Sequence, residues 1–197
     1  EPNERLGKKI NITGKGRCNV TNDADLNTLL ANTPKNGRFL YSVFSRFDGR
    51  DAMSFFEEMG VPLKVERGGR VFPVSDRSFD VSGALERRLK SLRVSLVRDR
   101  AVDLEIEDHE VRGVSGERRR YAAQAVILAT GGISYPATGS TGDGHRMAER
   151  AGHTVTPLQG SLVPLQGTLD NGASCARLQG LGLRNVGVTV FENQKKI

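Results

Sequence analysis

The sequence predicts an α/β fold, on three observations. Five apolar residues, Ala125 to Ala129, run into Thr-Gly-Gly and a loop of Thr, Ser, Gly and Asp that ends at Gly144. A short apolar run bounded by glycines reads as a buried strand of a parallel sheet. Apolar residues also recur at helical spacing in several stretches between Asp23 and Leu92. Three β-prone runs, Val102 to Ile106, Val111 to Val114 and Arg118 to Ala122, are separated by turn residues and predict a meander. The loop after Ala129 falls where open α/β sheets bind ligands, beyond the carboxyl ends of the strands. Gly131 and Gly132 would let a flat or anionic group approach their backbone.

Residues 1–22, EPNERLGKKINITGKGRCNVTN, offer an anion main-chain N–H groups together with Lys8, Lys9, Lys15 and Arg17. No Gly-Lys-Ser/Thr follows at Walker A spacing. Gly14-x-Gly16 is followed by Asn19 rather than by a third glycine or alanine, so the dinucleotide fingerprint is also incomplete. A basic surface loop accounts for this stretch as well as a phosphate site does. Asp23 to Asn32 predicts a helix facing inward through Leu26, Leu29 and Leu30. Asn36 caps a second, whose Phe39, Leu40, Val43, Phe44 and Phe47 read as core. A third begins at Asp48 or Gly49, buries Ala52, Phe55, Phe56 and Met59, and stops at Gly60. Leu63 to Pro73 predicts a hairpin around Gly68-Gly69.

Asp80 caps the next helix, with Val81, Leu85, Leu89 and Leu92 inward and Arg87, Arg88 and Lys90 outward. Val94 to Val97 reads as a parallel strand. The meander turns at Asp108-His109 and Ser115-Gly116, and Arg118 to Arg120 lie on an exposed, edge-protecting strand. Asp143 or Gly144 opens a helix with Met147, Ala148 and Ala151 inward and Gly152 as its stop. The composition changes near 157–166, and Val186 to Phe191 is strand-like, so two domains are expected, 1–160 and 161–197.

Among the 197 residues, Lys and Arg number 29 and Asp and Glu 23, a formal charge of +6, with a pI near 9.6. That balance suits phosphate-bearing ligands or nucleic acid and names neither. Cys18 and Cys175 are too isolated for a structural zinc site or a disulfide framework. No apolar run reaches membrane-spanning length, so no membrane association and a cytoplasmic protein are expected. His109, His145 and His153 read as turn, packing and helix-stop residues, Tyr135 after the Thr-Gly-Gly turn reads equally as facing a substrate or as a surface turn residue, and no catalytic acid or base is assigned. Cys18 reads as a small buried side chain rather than a redox group.

The stretches ITGKGRCNVTN at 12–22, NGRFLYSVFSRF at 36–47, GRVFPVSDRSFDV at 69–81 and AVILATGGISYPATGSTGDGHRMAERAGH at 125–153, with SLVPL at 161–165 and LQGLGLRNV at 178–186, together resemble the HI0933-like flavoproteins. These are also described as BaiN/RdsA-type or aminoacetone-oxidase-like. The resemblance implies an incomplete FAD/NAD(P)-binding Rossmann-like domain with a β-meander, followed by the start of an inserted mainly-β domain. It implies FAD, with NAD(P)H as a possible reductant. It places Glu1 on the adenosine ribose, and Gly7 and Lys8 near the ribose or pyrophosphate. Gly14, Gly16, Arg17, Cys18 and Asn19 would line the path to the isoalloxazine, and the Val102 backbone would meet the adenine. Ala129, Thr130, Gly131, Gly132, Gly142 and Asp143 would form the Ala-Thr-Gly wall and its following loop. The family's GxGxxG unit and its C-terminal FAD motif have no counterpart in this stretch, so weak FAD binding or none is expected of it alone. Three function classes follow: part of an FAD-dependent oxidoreductase acting on an amine, a conjugated C=C bond or uridine in RNA; a basic RNA-binding module without redox activity; and an enzyme using Gly14-x-Gly16 for another nucleotide.

Overall fold

The computed structural model describes residues 1–160, 167, 168, 175–178, 181, 186, 187 and 189–196. They form two compact units, Glu1–Val155 and Thr156–Ile197.

In the first unit a small antiparallel sheet has the order β1 (Thr21–Asn22), β3 (Arg70–Pro73), β2 (Leu63–Glu66). The expected hairpin joins β2 to β3, in register from Leu63↔Pro73 to Glu66↔Arg70. Its turn needs glycine twice over. Gly69 has φ +70, and a Cβ there would lie 2.5 Å from Asn22 Oδ1. The central strand β3 buries Val71 and Phe72 on successive faces. Against it packs α5 (Ser78–Ser91), burying Ser78, Val81, Ser82 and Ala84. This helix starts before the expected Asp80 cap; Arg77 holds the N-cap position, and Asp80 sits in the first turn, where the helix dipole favours a carboxylate. Arg87, Arg88 and Lys90 face out as expected. A short α1 (Lys8–Ile12) also contacts α5. The core gathers Cys18, Val61, Val81 and Ala84, with Ile10, Val20, Phe56, Met59 and Leu63 around them.

Two of the expected early helices have the caps their sequences imply. Asp25 accepts from Thr28 N at 2.7 Å to open α2 (Leu26–Ala31). Asp48 and Asp51 form a reciprocal capping box on α4 (Gly49–Glu58). The helix expected after Asn36 is shorter, a 3-10 turn over Gly37–Leu40 and then α3 (Tyr41–Phe44). Its aromatic stripe is not core, contrary to expectation: Phe39 is 82% exposed, and Val43 and Phe47 are also exposed. Two short turns of helix present too little surface to bury such a stripe.

The meander runs as β4 (Ala101–Glu107), β5 (Glu110–Gly116) and β6 (Arg120–Ala122), all antiparallel. Asp108 and His109 turn with φ 50 and 62, the paired left-handed geometry of a tight hairpin. The second turn falls later than Ser115-Gly116, because the buried Asp99 carboxylate organises it. Arg118 N donates to both oxygens of Asp99, and the Tyr121 hydroxyl donates to Oδ2 at 2.7 Å.

The two expected parallel strands are absent as ladders. Val94 to Val97 and Ala125 to Ala129 belong to no sheet, and the three sheets described are antiparallel throughout. Ile127 is 92% exposed instead of buried. An apolar run becomes a strand only when a neighbour takes up its N–H and C=O groups. Here Ser95, Leu96, Val97 and Ile127 line a cleft with Leu6 and Phe79. Beyond this, α6 (Asp143–Arg150) buries Met147 and ends at Gly152, φ +90, as expected.

In the second unit a 3-10 turn spans Cys175–Leu178, and β7 (Phe191–Glu192) pairs with β8 (Lys195–Lys196) across a left-handed Asn193-Gln194 turn. Of the strand expected over Val186 to Phe191, Phe191 alone is in a strand, and residue 188 lies outside the described residues. The SLVPL stretch at 161–165 lies outside them too. Among the described residues, no helix is long and apolar enough to cross a membrane, and no cluster of His, Cys, Asp and Glu could hold a metal ion.

Candidate functional site

The N-terminal segment and the glycine loop are stitched together through two side chains. Asn3 donates from its main chain and its Nδ2 to Glu1 Oε1, at 2.9 and 2.6 Å, and Nδ2 also reaches the Thr138 carbonyl at 3.4 Å. Lys8 Nζ donates to Asn3 Oδ1 at 3.3 Å, and Arg98 donates to the Asn3 carbonyl. Lys9, one position on, points to the same loop. Its ammonium donates to the Ser134 carbonyl and to the buried Ser140 hydroxyl, and it lies 5.6 Å from the Tyr135 ring centre. Because α1 also sends Ile10 into the core, a helix of five residues couples the interior to the loop.

The loop closes on itself. Gly142 N donates to the Gly132 carbonyl at 3.2 Å. A Cβ on Gly144 would meet Thr130 Oγ1 at 2.3 Å, so the start of α6 lies directly against Thr130. Gly131 takes φ +76 beside Ser140, whereas nothing stands within 4 Å of where a Gly132 side chain would begin. The open backbone after Ala129 and Thr130 is therefore at Gly132. Inside α6, His145 Nδ1 is buried and unpartnered among the described residues.

Asp143 is committed to cations. Arg100 donates to its Oδ2 at 2.8 Å, Thr141 Oγ1 donates at 2.7 Å, and Arg146 bonds Oδ1. The Arg100 bond, with the Thr141 hydroxyl, holds its carboxyl below the usual carboxylate range. Arg100 leads directly into β4, where Val102 is the extra residue of a bulge, opposite no residue of β5. The Val102 carbonyl accepts from Arg150 Nη2 at 2.9 Å. Glu1, Lys8, Val102, Thr130, Gly131, Gly132, Gly142 and Asp143 thus belong to one connected region. Glu1 Oε2 takes no hydrogen bond from the described residues.

The other expected residues are placed differently. Gly7, φ +69, would put a Cβ 2.8 Å from Ser82 Cβ, so it serves the approach of α1 to α5. A Gly14 Cβ would meet Asn19 N at 2.9 Å and Phe72 at 3.0 Å, whereas Gly16 faces open space. Cys18 is buried in the core with φ +60, and burial pushes its thiol up, against a hydrogen bond to Thr13. The Asn19 amide, oriented to satisfy both neighbours, donates to the Thr21 and Val71 carbonyls. The Arg17 guanidinium pairs with Glu66 and Asp76.

Sequence reasoning missed Asn3, Lys9 as a loop tie, Asp99 and Arg100. Only the density of polar residues in the first nine positions hinted at the first two. Asp99 and Arg100 act on residues far along the chain, and no local pattern announces that.

A family model described as HI0933-like protein Rossmann domain matches residues 1–195. A 3-dehydro-bile acid delta(4,6)-reductase of Clostridium scindens is 35% identical over 170 residues, 84% of this chain and 40% of that protein. The ribosomal RNA dihydrouridine synthase of Haemophilus influenzae is 30% identical over 169 residues, 82% of this chain and 40% of that protein. Its namesake from Escherichia coli is 27% identical over 171 residues, with the same two shares. The chain spans less than half the length of these relatives.

Proposed function

The chain belongs to the HI0933-like family, and from that premise we propose that it is the cofactor-binding part of an FAD-dependent oxidoreductase that saturates a carbon–carbon double bond conjugated to a carbonyl. A delta(4,6)-reductase and a dihydrouridine synthase have this chemical act in common. The observation that carries the cofactor reading is the stitched loop. Asn3 and Lys9 hold residues 134–140 against the N-terminal segment while Gly132 keeps open space beside its backbone. The donor set fits the group. Glu1 Oε2 can accept from a ribose diol, Val102 stands opposite no residue of β5 although its carbonyl is held by Arg150, and His145 Nδ1 is a buried polar atom without a partner among the described residues.

When bound and reduced, with NAD(P)H as the proposed reductant, FAD supplies the hydride. The chain's own residues bind and orient. Glu1 would anchor the adenosine end, the open backbone at Gly132 would let the flat ligand approach, and Lys9 ties the loop to the N-terminal segment. An excess of cations, +6 overall, favours a phosphate-bearing substrate such as uridine within RNA over a neutral one. Two free cysteines are in keeping with a cytoplasmic protein.

Titration with FAD, followed by quenching of flavin fluorescence, is expected to give weak, saturable binding. E1Q and G132V should each weaken it without moving the urea midpoint. Absence of saturable binding, or binding indifferent to both substitutions, overturns the reading. Uridine-containing RNA and a conjugated enone, offered in turn to the reduced complex, separate the two substrate classes.

A further inference from the structure

Three apolar side chains with the spacing of a core stripe face solvent instead: Phe39, Val43 and Phe47 are each at least half exposed. They recur every fourth residue through the 3-10 turn and α3, and Phe47 N still donates to the Val43 carbonyl, so they line one side of a short helical run. One end of the stripe is tied to the interior. Phe47 meets Phe55 edge to face with ring centres 6.4 Å apart, Phe55 meets Phe56 at 5.3 Å, and Phe56 packs on the core. Arg38 and Arg46 recur with the same period one residue earlier, so they run alongside the stripe. Both are exposed, and neither guanidinium has an ion-pair or hydrogen-bond partner among the described residues.

The charge around the stripe has one sign. From Leu26 to Phe47 the chain carries Lys35, Arg38 and Arg46 and no Asp or Glu. The carboxylates on either side are already engaged. Asp25 caps α2, Asp48 and Asp51 form the capping box of α4, and Asp23 pairs with Arg50. Other basic stretches are partly neutralised, Lys90 by Glu86 and Arg120 by Glu105. Exposed rings beside unpaired arginines meet both needs of an unpaired nucleotide strand, whose bases stack and whose phosphates seek cations. A duplex hides its base faces from such rings, and an apolar protein surface would leave the arginines without partners.

We propose that this face holds single-stranded RNA, with Phe39 and Phe47 stacking on bases while Arg38 and Arg46 meet phosphates. The choice of RNA rests on the substrate reading above, and the face itself needs no flavin.

The test follows the fluorescence anisotropy of a short labelled oligouridine over a range of salt concentrations. Saturable binding that weakens with salt is expected. F39A should lose roughly tenfold in affinity, within the range of one lost base stack, without altering the salt slope, and F39W should restore the affinity. R38Q/R46Q should lower the slope of log affinity against log salt by about 1.4, which is 0.7 for each phosphate contact given up. Phe39 lies in solvent, so F39A should melt as the wild type does and should leave flavin quenching unchanged. Oligouridine binding indifferent to F39A overturns the proposal, as does a duplex of equal length bound as tightly as the single strand. Tighter binding of oligothymidine overturns it in favour of DNA. Absence of oligouridine binding overturns it as well, and self-association abolished by F39A would then give the face to a second copy of the chain. A chain that takes up FAD but ignores oligouridine fails here alone, whereas one that binds oligouridine without FAD keeps this face and loses the cofactor reading.

Discussion

Gly144 and Gly132 lie in one loop under opposite constraints. A methyl group on Gly144 would lie 2.3 Å from Thr130 Oγ1, whereas Gly132 has free space. G144A is therefore expected to cost about 1–3 kcal/mol through overpacking, and G132A to stay within about 0.5 kcal/mol. Urea unfolding of the two variants checks this, and equal midpoints would contradict the packing described. The sequence makes both glycines conspicuous but cannot tell them apart, because the difference lies in what folds against them. The same holds for Asp143 and Cys18. Each stands in a motif that suggests a ligand, yet one carboxylate is surrounded by Arg100, Thr141 and Arg146, and the thiol faces Val61, Val81 and Ala84. Residue type was legible there, and direction was not.

Elements with local causes were the most legible. Asp48 and Asp51 bracket the start of α4, and the structure has the reciprocal capping box that such a pair permits. D48A removes the half in which the Asp48 carboxylate accepts from Arg50 N and Asp51 N and should cost about 1 kcal/mol, seen as a lower melting temperature by circular dichroism; an unchanged transition would mean that the cap contributes nothing. The Asp108-His109 turn was likewise readable, since two residues between alternating runs demand a left-handed pair. The second meander turn was misplaced because Asp99, nineteen residues before Arg118, supplies the carboxylate that sets it. Val94 to Val97 and Ala125 to Ala129 have the composition of strands. Pairing is a property of two segments, however, and composition describes only one.

Across the whole molecule, acid should be destabilising in a defined window. Hydrogen bonding by Arg17 holds the Glu66 carboxyl below its usual range, and Lys64 does the same for Asp76. Burial alone would raise the Asp99 carboxyl, but the Tyr121 hydroxyl and the main-chain N–H groups of Arg118, Arg100 and Arg119 outweigh it and bring it down. Asp143 is lowered by Arg100. In each case the unfolded chain takes up protons first, so stability is fully present above about pH 5 and falls as the pH drops through the folded-state values. Urea midpoints measured from pH 7 to pH 3 should be level at first and then decline; a flat profile would contradict the carboxylate assignments. The meander and the Ala125–Ala129 segment also differ in how they meet other chains. Of the expected arginine strand only Arg120 lies in the edge strand β6, with Arg118 and Arg119 exposed in the turn before it, and a second backbone cannot align there without gathering like charges. The Ala125–Ala129 segment has no such sentry: among the described residues it pairs with no strand, and Ile127 is 92% exposed, so it offers an extended polypeptide of matching character a template for sheet.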